Sequence, residues 1–237
     1  MRRALACGLA AAALLLGGCV YLRLLELKLQ LDRFDRHFTV QTDEGLTLVC
    51  LSPLLRTDDV RWIGLRPEVI RAAGRDEHWH VRWVKELPPA VTEPEAHDLA
   101  LDLAFADGRL TRIAVPEKYF ALMPKEFVTG LIRSLGRGRI DQAGRNLATT
   151  VAESDLPTAR PRLPAIDRLL GVASERRTTA TETTTRYRYR PATTEPGAKV
   201  FEMVLHFDPA SGELLRWHAR TPVGNLSFDF TRRRETK

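Results

Sequence analysis

Two segments far apart in the chain alternate apolar and polar residues with a period of two. The first is 99–105 and the second is 201–207, and a turn that contains glycine follows each of them. Because successive residues of a strand point to opposite faces, each segment predicts a β-hairpin with one buried face. Phe105 and Phe207 end the two apolar faces just before the turns, so we expect both to be buried.

A strand with aromatic residues on one face precedes each predicted hairpin. Trp79 and Trp83 share a face of the first strand, and Tyr187 and Tyr189 share a face of the second. The residues that alternate with the two tyrosines are Arg186, Arg188 and Arg190. The period predicts buried tyrosines and arginines on the opposite face. These arginines either bind an anion or are simply solvated charges of an exposed face.

Helical segments that end in glycine precede both aromatic strands. The first runs from Val60 to Gly64 and the second from Ile166 to Gly171. The order of short helix, aromatic strand, polar loop and hairpin therefore occurs twice. This order predicts an α+β fold of two small antiparallel-sheet-plus-helix units, which follow an N-terminal signal and an amphipathic helix.

The segment 20–37 has the spacing of an amphipathic helix. Leu24, Leu27, Leu31 and Phe34 recur at intervals of three and four residues, and charged residues occupy the other side. Two interpretations remain open at this point. The apolar face either caps the domain that follows, or it packs on a membrane or a partner.

The first nineteen residues begin with Arg2 and Arg3, continue with an apolar run, and end in Leu16-Gly17-Gly18-Cys19. This order resembles a bacterial lipoprotein signal with its lipobox. The apolar run is shorter than the ~20 residues that span a bilayer. The alternative is an uncleaved anchor helix from Ala4 through Leu25, which the charges of Arg23 and Glu26 would weaken. The resemblance implies that residues 1–18 are removed, that Cys19 carries a diacylglyceryl thioether, and that its amine usually carries a third acyl chain. Val20, rather than Asp, follows the cysteine and favours the outer membrane.

The repeated order also resembles the small outer-membrane assembly lipoproteins of the SmpA/BamE type. The resemblance covers roughly 54–116 and 163–222 and includes no diagnostic motif. It implies helices packed on a three-stranded antiparallel sheet in each half. An additional hairpin precedes the first half, and a further segment separates the two halves, which departs from that family.

Breaks in composition suggest the domain boundaries. Met123 to Ala152 has a helical pattern, the three prolines between Asp155 and Pro164 indicate a linker, and the last residues are charged. The predicted units are a signal peptide at 1–18, a lipid-anchored helix at 19–37, an α+β domain at 38–152, a linker at 153–164, a second α+β unit at 165–231, and a charged tail at 232–237.

Charge and cysteine content narrow the functional classes. The formal charge of +6 falls to about +4 when Arg2 and Arg3 leave with the signal, which suits an anionic lipid or polymer but is too small to indicate nucleic acid. Cys7 leaves with the signal and Cys19 takes lipid, so Cys50 has no cysteine partner. Its position on an apolar strand face predicts a buried, unreactive thiol.

No known catalytic motif occurs in the sequence. His78 and His80 share a strand face, but two histidines without a third ligand favour a solvated pair over a metal site. We therefore expect neither enzymatic activity nor a cofactor or metal. The leading hypothesis is a non-enzymatic scaffold or adaptor of the bacterial envelope, which faces the periplasm and contacts other envelope proteins. The alternative is a binding module for an anionic lipid, glycan or lipopolysaccharide through Arg186, Arg188 and Arg190.

Overall fold

The computed structural model describes residues 20–42, 45–121, 128–130, 132–133, 139–141, 146–148, 160–222 and 224–231. The helices with described bounds are α1 (Val20–Asp32), α2 (Phe34–His37), α3 (Thr57–Trp62) and α4 (Leu163–Leu170). Short 3-10 turns lie at Glu95–His97 and Glu117–Ala121. Within the described residues, no helix is long and apolar enough to cross a bilayer.

In the described part of the chain, eleven strands form one antiparallel sheet. Their bounds are β1 (Phe38–Gln41), β2 (Leu46–Cys50), β3 (Val69–Ala73), β4 (Asp76–Glu86), β5 (Leu99–Ala106), β6 (Arg109–Val115), β9 (Glu175–Thr178), β10 (Thr183–Pro191), β11 (Phe201–Phe207), β12 (Leu214–Thr221) and β13 (Gly224–Asp229), while β7 (Arg139–Asp141) and β8 (Asn146–Ala148) form a separate pair. The order in the sheet is β1-β2-β6-β5-β4-β10-β11-β12-β13, with β3 beside β4 and β9 beside β10.

The predicted repeat is present in the structure, with one short strand added to each half. The first repeat, residues 56–115, runs α3-β3-β4-β5-β6, and the second, residues 162–221, runs α4-β9-β10-β11-β12. A matching hydrogen bond ties the start of each helix to its hairpin turn. Thr57 N–H donates to the carbonyl of Gly108, and Leu163 N–H donates to the carbonyl of Gly212.

The two repeats do not form two small units, so the predicted fold class is wrong. The last residues of β4 and β10 pair antiparallel, with Glu86 opposite Arg188 and Trp83 opposite Pro191. One sheet therefore runs through both repeats. Alternation of side chains specifies a strand and its buried face, but it does not specify which edge meets which. An unpaired edge exposes N–H and C=O groups, and the pairing of β4 with β10 satisfies them.

The main apolar core lies on the helical side of this sheet. It joins Trp79, Trp83 and Phe105 of the first repeat to Tyr187 and Phe207 of the second. Phe105 is 2% exposed and Phe207 is fully buried, which confirms the prediction for both. Because all of these side chains follow the period-two parity of their strands, the residues that alternate with them lie on the opposite face of the sheet. On that face, charged residues are interspersed with apolar ones such as Val84 and Val204.

The predicted N-terminal helix is present as α1 and α2. Leu24 and Leu27 pack against the main core, while Leu31 and Phe34 form a smaller cluster with Phe38 of β1. One face of α1 therefore caps the domain, as one of the two interpretations required. The strands β1 and β2 extend the sheet beyond β6, where Leu46 pairs with Val115.

The segment between the repeats follows its predicted helix at residues 128–130 and 132–133, and departs from it at two short strands. Arg139–Asp141 and Asn146–Ala148 form an antiparallel pair, with Ile140 opposite Leu147. Each of these two strands has only three residues, which is too short for the spacing of apolar residues to distinguish a strand from a helix. Gly136 and Gly138, whose sequence suggests a break between two helical pieces, lie outside the described residues.

Candidate functional site

The three arginines singled out from the sequence lie on the outer face of the sheet, the face opposite the helices. Tyr187 is fully buried and Tyr189 is 1% exposed, which confirms that the tyrosines enter the core. We call Arg186, Arg188 and Arg190 the arginine strip. All three lie on β10, close to the centre of the sheet.

Two carboxylates offset most of the charge of the arginine strip. Arg186 lies 3.2 Å from Glu202 and 3.6 Å from Glu175, and Arg188 lies 3.5 Å from Glu175 and 3.7 Å from Glu202. Arg190 is exposed and makes no ion pair with the described part of the chain. The strip therefore presents less positive charge than its sequence indicates.

Opposite charges alternate across the outer face of the sheet. The register sets Glu86, Arg188, Glu202 and Arg220 side by side on four neighbouring strands. Such cross-strand pairs stabilise a sheet modestly when they are exposed. This face is a broad surface of paired charges, which suits a complementary protein surface better than it suits a single small anion.

A further network of paired charges on this face includes a histidine. Glu182 accepts hydrogen bonds from Arg216 and from His206 at 2.9 Å. Burial acts to raise the pKa of Glu182, but these two donors hold it below its usual range. The ring of His206 meets that of His218 edge-on at 5.7 Å, and burial and the neighbouring positive groups lower the pKa of His218.

The histidine pair considered as a metal site contacts a single carboxylate. His80 Nδ1 lies 2.7 Å from Asp102 Oδ1, and His78 is exposed on the same strand. Groups of three or more potential ligands are absent from the described residues. Cys50 is half-buried, and burial raises the pKa of its thiol to about 11, which keeps it protonated at neutral pH.

An enclosed charged cluster around Lys85 was not predicted. Lys85 Nζ donates to Glu93 Oε2 at 2.6 Å and to the backbone carbonyl of Leu170 at the end of α4. Glu93 also accepts the N–H of Val172. The side chain of Lys85 is 3% exposed and that of Glu93 is 10% exposed. We call Lys85, Glu93, His97 and Gly171 the Lys85 cluster.

Burial and hydrogen bonding shift the pKa values of both Lys85 and Glu93. Burial lowers the pKa of Lys85, although the Glu93 carboxylate opposes that effect. Burial acts to raise the pKa of Glu93, but the hydrogen bonds from Lys85 and from the Val172 N–H hold it below its usual range. The Lys85 ammonium donates its two hydrogen bonds to Glu93 and to the Leu170 carbonyl, both within the protein. The pair therefore fixes a loop to a helix end, where a cation is also favoured by the helix dipole.

The Lys85 cluster joins the two repeats. Glu93 and His97 belong to the loop 87–98 of the first repeat, and they cover Gly171 at the end of the helix of the second. Gly171 has φ of +69°, and a Cβ there would collide with the Glu93 carboxylate and the His97 ring. A glycine is therefore required both by the backbone and by the close approach of the loop.

A loop of the second repeat likewise covers the helix end of the first repeat. The loop, 192–200, lies against Gly64 after α3, where a Cβ would come within 2.7 Å of the Lys199 side chain. Glu195 of this loop lies 3.5 Å from Arg61 and 3.6 Å from Arg66. Each repeat thus covers the helix end of the other. These reciprocal contacts join the two repeats in addition to the pairing of β4 with β10.

A signal for Lys85 was present in the sequence. Trp79, Val81 and Trp83 occupy the buried parity of β4, and the next position of that parity is Lys85. A lysine on a buried face needs a partner. The identity of that partner, Glu93 in the following loop, depends on the fold.

Comparison with protein-family models, with curated proteins and with solved structures yields no match for this chain. The functional argument therefore rests on the residues and on their geometry.

Proposed function

We propose that the protein is a lipid-anchored envelope lipoprotein that acts as a non-enzymatic scaffold or adaptor. It is held through acyl chains on Cys19, faces the periplasm, and resides at the outer membrane. The observation that carries this proposal is the lipobox order Leu16-Gly17-Gly18-Cys19, which α1 follows directly at Val20. A lipid on Cys19 would be attached to the folded body without an intervening linker.

The pairing of the buried charged residues, and the alternating charges on the outer face, support a scaffold rather than an enzyme. Three of the buried charged residues have structural partners: Asp59 binds Arg23, Asp98 binds Arg82, and Lys85 binds Glu93. The outer face of the sheet, with its alternating charges, offers a broad surface for another protein. Envelope proteins are the partners that this location makes available.

Mass spectrometry of the intact protein extracted from membranes tests the anchor. We expect a chain that begins at Cys19 and carries the mass of the diacylglyceryl group, with or without a third acyl chain. The Cys19→Ala variant should be unprocessed or lack acyl groups. An acylated, membrane-bound Cys19→Ala protein would contradict the proposal.

Affinity purification from detergent-solubilised envelopes tests the scaffold role. A variant that reverses the charges of the outer face, Glu202→Lys with Glu182→Lys, serves as the matched control because its anchor is intact. We expect the original protein, but not this variant, to retain a protein partner in stoichiometric amount. Co-purification of lipid or glycan alone would support the second candidate function.

The second candidate function is binding of an anionic lipid, glycan or lipopolysaccharide. The observation that favours it is Arg190, which is exposed and unpaired among the described residues. Co-sedimentation of non-lipidated protein with anionic vesicles, at low and high salt, tests it. The triple variant Arg186→Gln, Arg188→Gln and Arg190→Gln should bind more weakly, most clearly at low salt.

A matched control carries the same change in charge at scattered sites. Arg71, Arg109 and Arg177 are exposed on β3, β6 and β9, and their replacement by Gln should leave binding at a higher level than the strip variant. Equal binding by the original protein and by the strip variant would remove the binding function and leave the scaffold.

A further inference from the structure

The helix α1 is fixed to the body of the protein from its first turn. Arg23 binds Asp59 of α3 through two hydrogen bonds of 2.6 Å. Leu24 and Leu27 pack against the main core, and Leu31 is buried. Because contacts occur along the length of the helix, α1 cannot swing away from the sheet without breaking a buried ion pair.

The other side of α1 carries exposed apolar residues. Leu22 and Leu29 are separated by seven residues and share one side of the helix, opposite Leu24, Leu27 and Leu31. Leu22 is 39% exposed and Leu29 is 67% exposed. Tyr21, beside Leu22 in the first turn, is 37% exposed.

An exposed tryptophan belongs to the helix that Arg23 contacts. Trp62 lies one turn after Asp59 on α3 and is 49% exposed. The other three tryptophans of the chain are 7% exposed or less. Tryptophan and tyrosine are favoured at the boundary between lipid headgroups and acyl chains, since their rings combine apolar and polar parts.

Covalent geometry places Tyr21 and Leu22 close to any lipid on Cys19. Adjacent Cα atoms are about 3.8 Å apart, and a helix rises about 1.5 Å per residue. Tyr21 and Leu22 therefore lie within one helical turn of the residue after Cys19. A bilayer that holds the acyl chains must also lie against the first turn of α1.

We infer that Tyr21, Leu22, Leu29 and Trp62, here called the anchor face, lie in the headgroup region of a phospholipid bilayer. The inference rests on the proposed lipidation of Cys19 and adds to it a fixed orientation of the body. Exposed leucines and aromatic rings beside the acyl chains contribute additional burial of apolar area to the anchor. The occupant of this surface is the lipid itself.

Trp62 is a built-in probe of this arrangement. The lipidated full-length protein is placed in vesicles of phosphatidylethanolamine and phosphatidylglycerol, with and without brominated acyl chains that quench tryptophan on contact. We expect loss of the Trp62 emission in the brominated vesicles. In the Trp62→Phe variant the remaining emission should be unquenched, because its three tryptophans are buried.

A tryptophan placed elsewhere is the matched control. Val172 is 48% exposed and lies in the second repeat, just after α4. In the Trp62→Phe background, Val172→Trp should show no quenching. The double variant Leu22→Gln and Leu29→Gln changes only exposed side chains, and it should reduce the quenching of Trp62 while the protein stays anchored.

The outcomes separate this inference from the proposed function. Absence of lipid in the intact mass would overturn the proposed function, and the inference with it. A lipidated protein that floats with the vesicles but shows no quenching of Trp62 would overturn the inference alone. Equal quenching of Trp62 and of the Val172→Trp variant would also overturn it, because the body would then have no preferred orientation.

Discussion

The guanidinium of Arg23 and the carboxylate of Asp59 form a bidentate ion pair, with both hydrogen bonds 2.6 Å long. Asp59 is fully buried and also accepts the N–H of Arg56 at the start of α3. Arg23 therefore attaches α1 to the body of the protein and fixes the rotation of the helix about its axis.

Loss of Arg23 should strongly destabilise the protein. The Arg23→Gln variant leaves a buried carboxylate without its cation, which costs ~3–5 kcal/mol when a buried pair is broken. The double variant Arg23→Met and Asp59→Asn should regain part of that loss because no charge remains buried. Urea unfolding, followed by circular dichroism, measures both. Equal stability of Arg23→Gln and the original protein would show that the pair is dispensable.

Gly171 and Gly212 allow a comparative test of the Lys85 cluster. Both have φ of +69°, and Gly171 combines it with a ψ of −156°, a backbone region that essentially only glycine populates. A Cβ at Gly212 meets no atom within 4 Å, whereas one at Gly171 meets Glu93 and His97. Gly212→Ala should cost ~1–2 kcal/mol from backbone strain alone. Gly171→Ala should cost clearly more in the same unfolding experiment. Similar losses for the two variants would mean that the loop 87–98 adapts freely.

The Glu93 carboxylate should make the free energy of unfolding depend on pH in the acidic range. Its pKa in the folded protein lies below the ordinary value of 4.5, so its contribution is present above about pH 4.5 and is lost as the pH falls through the lowered pKa. The difference in unfolding free energy between the original protein and Glu93→Gln should therefore shrink from pH 7 to pH 3. The exposed Glu117→Gln variant serves as the control. A difference that stays constant over this range would contradict the assigned ion pair.

Phe105 and Phe207, at the ends of the two hairpin faces, should contribute similarly to the free energy of unfolding. Phe105→Ala and Phe207→Ala each remove a buried ring, which typically costs ~3–5 kcal/mol. Phe201, at the other end of its strand, is only half-buried and should cost less when changed to Ala. Thermal or urea unfolding of the three variants gives the comparison. A near-zero change for Phe105 or Phe207 would contradict its place in the core.

Two of the strands that the sequence missed, β3 and β9, have no apolar face to reveal them. Every residue of β3 and of β9 is exposed, so neither strand shows an alternating pattern. They form because β4 and β10 overlap over only four residue pairs, and the remaining backbone groups of each strand need partners. Backbone hydrogen bonding, which no side-chain pattern records, decides these two strands.

For the arginine strip, too, one property could be predicted from the sequence and another could not. Period-two alternation predicted the side of the sheet on which Arg186, Arg188 and Arg190 lie, and the structure confirms it. It could not predict that Glu175 and Glu202 neutralise Arg186 and Arg188, because those carboxylates come from β9 and β11. The charge that a surface presents depends on neighbouring strands, while the face on which a residue lies depends only on its own strand.

The sequence by itself determined the helices, the alternating strands, the buried aromatic faces and the repeated order of elements. These features follow from local periodicity, which a short window of residues contains. Only the tertiary structure decided that β4 meets β10, that each loop covers the other repeat's helix, and that Lys85 pairs with Glu93. The physical reason is that such contacts join residues whose separation along the chain carries no periodic signal. They are selected by the packing and hydrogen-bond satisfaction of the whole molecule.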